Sequence, residues 1–518
     1  MTAVATPQAR LRAPVERALA LPVGVRIALG LALLVGVSLL LRSQGLHARY
    51  WIDEGLSVGI ASHPLADIPG VLRQDGSPPL YYLLLHGWIA VFDRGEADTH
   101  VLSLLFALAT IPVAFTAARM LFDARTAWIA ALLAAINPFL TYYAQETRMY
   151  ALVALLGLVV TATFALGFVA RRRGWLVVFA AALALLLYSH NWGLFMAAAT
   201  VVAFAVVVRG APQRRPLLRD GALAYGAVGL VYLPWLPTLA FQARHTGAPW
   251  AEVPGLDDAM SSLGTTLGGT TAAVVFGLAA YVGLSRMRRG DPALRIVAIA
   301  AGLAIGGIAL AWLASQASPA WATRYLAVFV GPLLLAGAAL IARAGSFGLV
   351  ALGVLAILWF DPRIDALEGK SNAHTTAVEV RDRLSPGDLV VSTHPEHGPV
   401  MHVYLPAGLR WANSMGPVSD PQVMDWRDAM DRLKAARPTA TADALVRTLA
   451  PSQNLLLIQP VIRSASWKGP WTALVRRRAA QWERMLDDDP RLARTLAVPK
   501  LSGRPLPRGV RAVLYERL

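Results

Sequence analysis

Apolar and polar positions fall into long blocks rather than alternating. Through the first 360 residues, stretches rich in Leu, Val, Ala, Ile and Phe recur between short polar segments, and about 20 such residues cross a bilayer as a helix. Eleven blocks read as spans: 25–42, 99–118, 127–145, 150–170, 175–189, 192–208, 221–240, 270–285, 294–314, 324–341 and 346–360. Only Ser189-His190-Asn191 and its flanks separate the fifth from the sixth. The first follows a head, residues 1–24, with Arg10, Arg12 and Arg17. No small-residue cleavage site follows, and the apolar stretch is too long for a signal peptide, so a retained helix is expected.

Two regions break the pattern. Residues 43–98 form a long first loop whose apolar stretch Leu80–Phe92 is short for a span and fits a helix lying at the interface. From Asp361 onward the blocks stop. Residues 361–518 carry 23 Lys+Arg and 17 Asp+Glu and read as a mixed α/β domain. Leu389-Val390-Val391 and Leu455 to Ile458 look like buried strands, and Val423 to Ala436, Thr441 to Leu449 and Trp471 to Met485 look like helices. The fold class expected is a polytopic α-helical membrane protein with an α/β domain at its C-terminus. Its parts are a cytoplasmic head (1–24), a transmembrane domain (25–360) and an extracytoplasmic domain (361–518).

Composition agrees: 56% of the 518 residues are hydrophobic and 15% charged, where soluble domains carry about 25%. There is no cysteine, which excludes disulfides and thiolate metal sites. The net charge of +16 would suggest nucleic acid in a soluble protein, but topology explains it. With the N-terminus in the cytoplasm, the inner segments hold 17 arginines and four acids, and the outer segments before residue 361 hold seven arginines and eleven acids. That asymmetry fixes the orientation, requires two spans within 175–208 and places the C-terminal domain outside. The inner arginines face anionic lipid headgroups, and no nucleic-acid partner is expected.

Every unusual polar cluster then falls on the outer side. Tyr50-Trp51-Ile52-Asp53-Glu54 puts adjacent carboxylates beside apolar helices, which is costly unless they face water, a metal or a cation. A helix N-terminus, whose dipole favours acids, accommodates the pair equally well. The run from Gln74 to Tyr82 enters a helix through Pro78-Pro79. Tyr142 to Tyr150 contains Gln145, Glu146 and Arg148, and an arginine there can bind a lipid phosphate through its planar fork or pair locally with Glu146. His190 returns to the same surface, as does Trp321-Ala322-Thr323-Arg324-Tyr325. Tyr232-Leu233-Pro234-Trp235 reads as a kink and interfacial anchor.

The motifs W-x-D-E-x-x-S (Trp51 to Ser57), D-x-x-P-P-L-Y-Y (Asp75 to Tyr82), Q-E-x-R-M-Y (Gln145 to Tyr150), Pro234-Trp235 and R-Y-L (Arg324 to Leu326) resemble those of bacterial family-39-like, class C glycosyltransferases, related to protein O-mannosyltransferases and lipid A aminoarabinose transferases. The resemblance covers about residues 25–345 and rests on five motifs in order on one side of the membrane. It departs at His100, where the family often has an arginine before the serine found here as Ser103. It implies a membrane enzyme that moves a sugar from a polyprenyl-phosphate donor to an acceptor hydroxyl of a cell-wall glycan, lipid or protein, usually with inversion. In that frame Asp53 is the general base and Glu54 supports it. Arg148, Arg324 and Tyr325 hold the donor phosphate, and Glu146, with His190 and Tyr82, organises the site. Asp53, Glu54 and Glu146 are the candidate ligands for a divalent cation, Mg or Mn. Two other readings stand against this one. A transporter or lipid flippase would place ionisable residues near the midplane and show two related halves, neither of which is seen. A non-catalytic relative that binds cell-wall polymer would not need Asp53, Glu146 and Arg148.

Overall fold

The protein is described here from a computed structural model covering residues 21–462, 469–499 and 508–518; Arg10, Arg12 and Arg17 lie outside the described residues. Each predicted span contains a helix. Among the described residues, six stretches are long and apolar enough to cross a membrane: Val23–Arg42, Glu96–Leu121, Tyr150–Val169, Arg214–His245, Pro292–Ala317 and Thr323–Arg343. Leu256–Thr266 and Thr270–Ser285, bent by 83° at their junction, make a seventh if counted as one. Shorter apolar helices are Leu80–Phe92, Ala124–Ile136, Trp175–Ser189, Gly193–Arg209 and Ser346–Trp359. The protein is a multi-pass membrane protein.

Two spans differ from expectation. The block 127–145 divides into Ala124–Ile136 and Pro138–Tyr143, because Asn137 caps the second helix through the Leu140 amide and Pro138 opens it; proline lacks the N–H that a continuous helix would need. The block 221–240 lengthens to Arg214–His245, with a 3₁₀ turn at Leu233–Trp235.

The division of 175–208 can be followed through side chains. Arg171 and Arg173, just before Trp175–Ser189, bond Asp220 near the start of Arg214–Tyr232 at 2.7 and 3.1 Å. At the other end, the Tyr188 hydroxyl donates to the Val231 carbonyl at 2.9 Å. These two helices therefore run in the same direction, and Gly193–Arg209 must return the chain between them. The reversal falls at His190-Asn191-Trp192.

Tyr150–Phe164 and Ala327–Arg343 are buried along nearly their whole length and form the centre of the helical domain. Val23–Arg42 packs at the periphery, with Ser38, Leu41 and Arg42 buried. Arg42, which reads in the sequence as a loop arginine, donates to the Ala107 and Ala134 carbonyls at 3.1 and 2.6 Å and so ties this helix to the two that follow.

The C-terminal domain holds a six-stranded mixed sheet, β1 (Leu389–Ser392), β2 (Arg410–Asn413), β3 (Gly416–Val418), β4 (Asn454–Ile462), β5 (Leu492–Val498) and β6 (Arg508–Arg517), in the order β3-β2-β1-β4-β6-β5. β1 is parallel to β2 and β4; the other pairings are antiparallel. Side chains alternate across the faces. Val390, Leu456, Ile458, Ala512 and Leu514 pack with Tyr50 and Val58 of the first loop, while Val391, Leu455, Leu457, Val513 and Tyr515 pack with Val446 and Trp482 on the opposite face. Both predicted strands lie in the sheet. The helix expected at 423–436 is confined to Ala429–Ala435, because the chain before it is pinned to the helical domain: the Trp426 amide donates to the Gln74 carbonyl and the Asp428 amide to His245, with Asp428 in the left-handed region at φ 48°.

Candidate active site

Asp53 and Glu54 occupy the first turn of the helix Ile52–Ala61. Successive helical residues point about 100° apart, so the two carboxylates diverge. The Asp53 side chain is 16% exposed and faces Arg324, whose Nη2 lies 3.5 Å from Oδ2. Glu54 is fully buried, with both oxygens engaged. Oε1 meets His100 Nε2 at 2.6 Å and accepts from the Thr147 amide at 2.9 Å; Oε2 lies 2.6 Å from Lys370 Nζ and accepts from the Trp51 amide at 3.3 Å. Burial alone would raise this carboxyl, but Lys370 and His100 outweigh it and hold it down to about 2.

Arg148 comes from the turn after Pro138–Tyr143. Its Nη1 donates to the Asp53 carbonyl (3.3 Å), Ser57 Oγ (3.0 Å) and Tyr82 OH (3.4 Å), and Ser103 Oγ holds the Arg148 carbonyl at 3.0 Å. Arg324 sits among aromatic faces, 5.8 Å from the Trp51 ring and 5.3 Å from those of Trp250 and Tyr325, contacts that suit a guanidinium. The Tyr325 ring packs on His190 at 4.7 Å. His190 Nδ1 accepts from the Trp192 amide, and burial, with Arg148 and Arg324 adding to it, lowers its pKa to about 3; it is a neutral wall of the site.

Glu146 is fully buried; among the described residues neither oxygen has a well-formed hydrogen bond, and Lys370 Nζ lies 3.9 Å from Oε1. Burial pushes its carboxyl up to about 8, with Lys370 pulling the other way. Asp75 is buried at the end of the helix Ile68–Asp75, and burial raises it too.

The residues singled out in the sequence thus converge. Asp53, Arg148, Arg324, Tyr325, His190 and Tyr82 form one neighbourhood, with Glu54 and Glu146 in a layer behind it. As metal ligands, Asp53, Glu54 and Glu146 do not fit. Asp53 faces Arg324, and an ammonium lies against Glu54 and Glu146. Among the described residues no group of three or more His, Asp or Glu is placed to hold a metal ion. Sequence reading missed Lys370 and the role of His100. The departure at His100 was a signal, because Arg there would place another cation on Glu54. Lysine usage was another: the chain has four lysines, none before position 370.

Residues 76–240 match the family model of dolichyl-phosphate-mannose-protein mannosyltransferases. No curated protein matches the chain. Among solved structures it is similar to ArnT from Cupriavidus metallidurans in the apo state, with 17% identity, a TM-score of 0.64, and 94% of this chain and 97% of that chain covered. The ArnT structure bound to undecaprenyl phosphate gives 16% identity, a TM-score of 0.62, and 96% and 99% coverage. The oligosaccharyltransferase AglB from Archaeoglobus fulgidus, in complex with an inhibitory peptide and a dolichol-phosphate, gives 14% identity, a TM-score of 0.51, and 83% and 69% coverage. The resemblance carried by the five motifs is therefore met by a family-model match over residues 76–240 and, over nearly the whole chain, by a fold similar to that of ArnT.

Proposed function

We propose that the protein is a membrane glycosyltransferase that moves a sugar from a polyprenyl-phosphate donor to an acceptor hydroxyl on the extracytoplasmic face, with Asp53 as general base. The observation that carries this reading is the convergence of one partly exposed carboxylate, Asp53, with two guanidinium groups, Arg148 and Arg324. The similarity to a structure bound to undecaprenyl phosphate and to one holding a dolichol-phosphate supports the donor class.

The chemistry follows from the charges. As the bond between the anomeric carbon and the phosphate oxygen breaks, negative charge builds on the departing lipid phosphate, and preorganised guanidinium groups stabilise it. The acceptor oxygen forms the new bond to the anomeric carbon while its proton passes to Asp53, a contribution of about 10²–10⁴-fold. Attack opposite to the leaving phosphate inverts the anomeric centre. Arg324 contacts both Asp53 and the aromatic faces, so a donor phosphate competes with Asp53 for it and frees the carboxylate as the donor seats. Glu54, with both oxygens engaged, positions the site rather than taking the proton.

Mass spectrometry of products formed by the purified protein from a panel of polyprenyl-phosphate sugars and glycan, lipid and protein acceptors tests the reaction. A new glycosidic product with release of polyprenyl phosphate is expected; no transfer from any such donor would overturn the reading. Arg148→Ala and Arg324→Ala should each weaken donor use far more than folding, with Lys restoring only part. Normal donor kinetics in both Ala variants would remove the leaving-phosphate assignment.

A further inference from the structure

In the layer behind Asp53, beside Glu54 and Glu146, lies a cation that the motifs do not include. Lys370 is 5% exposed at its side chain, with Nζ 2.6 Å from Glu54 Oε2 and 3.9 Å from Glu146 Oε1. It belongs to the segment that leaves the last membrane helix and enters the C-terminal domain, and that segment is held on both sides. Gln145 Nε2 donates to the Pro362 carbonyl. Asn372 exchanges two hydrogen bonds with the backbone of Val510 in β6, at 2.8 and 2.7 Å. The ammonium is therefore built into its position.

We propose that Lys370 is the resident cation of the site: it takes the place between Glu54 and Glu146 that a divalent ion would need, and through Glu54 it holds the catalytic groups in register. The register argument rests on what Glu54 touches. Its own helix carries Asp53, its Oε1 holds the Thr147 amide next to Arg148, and the same oxygen meets His100 from Glu96–Leu121. A buried carboxylate stays ionised and fixed only if it is paired, and Lys370 is the permanent partner. The choice of residue is telling, because the chain is rich in arginine. An arginine fork suits the two oxygens of one carboxylate, whereas a compact ammonium can pair with one carboxylate, Glu54, and still fit beside the protonated carboxyl of Glu146 from a different element. A second cation here would have to displace it. Lys370 is a positioning residue, and the segment entering the outer domain completes the site.

The effect on turnover rests on the glycosyl-transfer reading above; the cation assignment does not. The full-length protein in detergent is titrated with Mn²⁺ and with EDTA while its unfolding temperature and its turnover of a polyprenyl-phosphate sugar are followed. Neither quantity should change for the wild type. Lys370→Met should lower kcat by about 10-fold or more with a smaller change in donor KM, as removal of supporting groups around a site does, and Lys370→Arg should recover only part. Lys370→Met strands the Glu54 charge and can impair folding, so Lys370→Met combined with Glu54→Gln is the companion. It should regain unfolding temperature while kcat stays low. Turnover abolished by EDTA and restored by Mn²⁺ would overturn the proposal. So would a Mn²⁺-induced rise in wild-type unfolding temperature that Glu54→Gln removes, or wild-type kcat in Lys370→Met. If no donor is turned over, the reaction class fails and the Mn²⁺ thermal titration still decides the role of Lys370.

Discussion

Asp53 and Glu54 are neighbours with opposite environments, and single substitutions should separate them. Asp53→Asn keeps the size of the side chain and removes the proton acceptor; turnover should fall by about 10²-fold or more with donor affinity and unfolding temperature nearly unchanged. Near-wild-type turnover would move the base assignment elsewhere. Glu54→Gln instead breaks a buried ion pair, which destabilises a protein by about 3–5 kcal/mol, and should show first as a lowered unfolding temperature. Glu146 sets a dependence on pH. Its carboxyl is raised from 4.5 to about 8 by burial, so between those values the folded protein holds a proton that the unfolded chain has released. Its contribution to stability is complete below about pH 4.5 and is lost as pH rises through about 8, by up to about 1.4 kcal/mol per pH unit. Thermal melts across that range should fall less steeply for Glu146→Gln than for the wild type; equal slopes would exclude a raised Glu146. These residues stood out in the sequence because a carboxylate or arginine beside apolar blocks is conspicuous. Lys370 did not, since it lies in a stretch of ordinary soluble composition and its partner is far along the chain.

At the scale of elements, the helix Ile52–Ala61 is wedged between the helical domain and the C-terminal domain. It makes that contact through small residues one helical turn apart. A Cβ on Gly55 would meet the Val400 backbone, and one on Gly59 would meet the Gln422 carbonyl. Gly59→Ala should therefore force the helix away from the outer domain. Overpacking of this kind costs about 1–3 kcal/mol, read as a lowered unfolding temperature, with a loss of turnover because Asp53 rides on the same helix. A stable, fully active variant would show that the contact does not set the position of the helix. Hydropathy located the helices well, since each long apolar block must satisfy its own backbone within the bilayer. It failed where a local polar group decided the outcome, as at Asn137-Pro138 and at Asp428, whose backbone is held by a partner in another domain.

For the whole molecule, the arginine asymmetry and the reversal at His190-Asn191-Trp192 together predict an extracytoplasmic C-terminus. A reporter fused after Leu518 that is active only outside the cytoplasm should give signal; a signal confined to a cytoplasmic reporter would require an even number of crossings. The sheet bears on this orientation, because one of its faces packs on Tyr50 and Val58 of the loop that carries Asp53. The C-terminal domain and the first loop therefore belong on the same side of the bilayer.

The scarcity of lysine has a consequence for how the molecule can be watched. No side-chain amine precedes position 370, and the one there is shut between two carboxyl groups. Amine-reactive labels therefore find no side-chain target in the helical domain, and Lys370 is covered as long as the C-terminal domain stays seated. Modification of Lys370 needs the interface to open, and its rate follows the population of the opened form when reclosing is fast. Lys370 is thus a built-in clock for the parting of the two domains, readable by the mass of a single peptide.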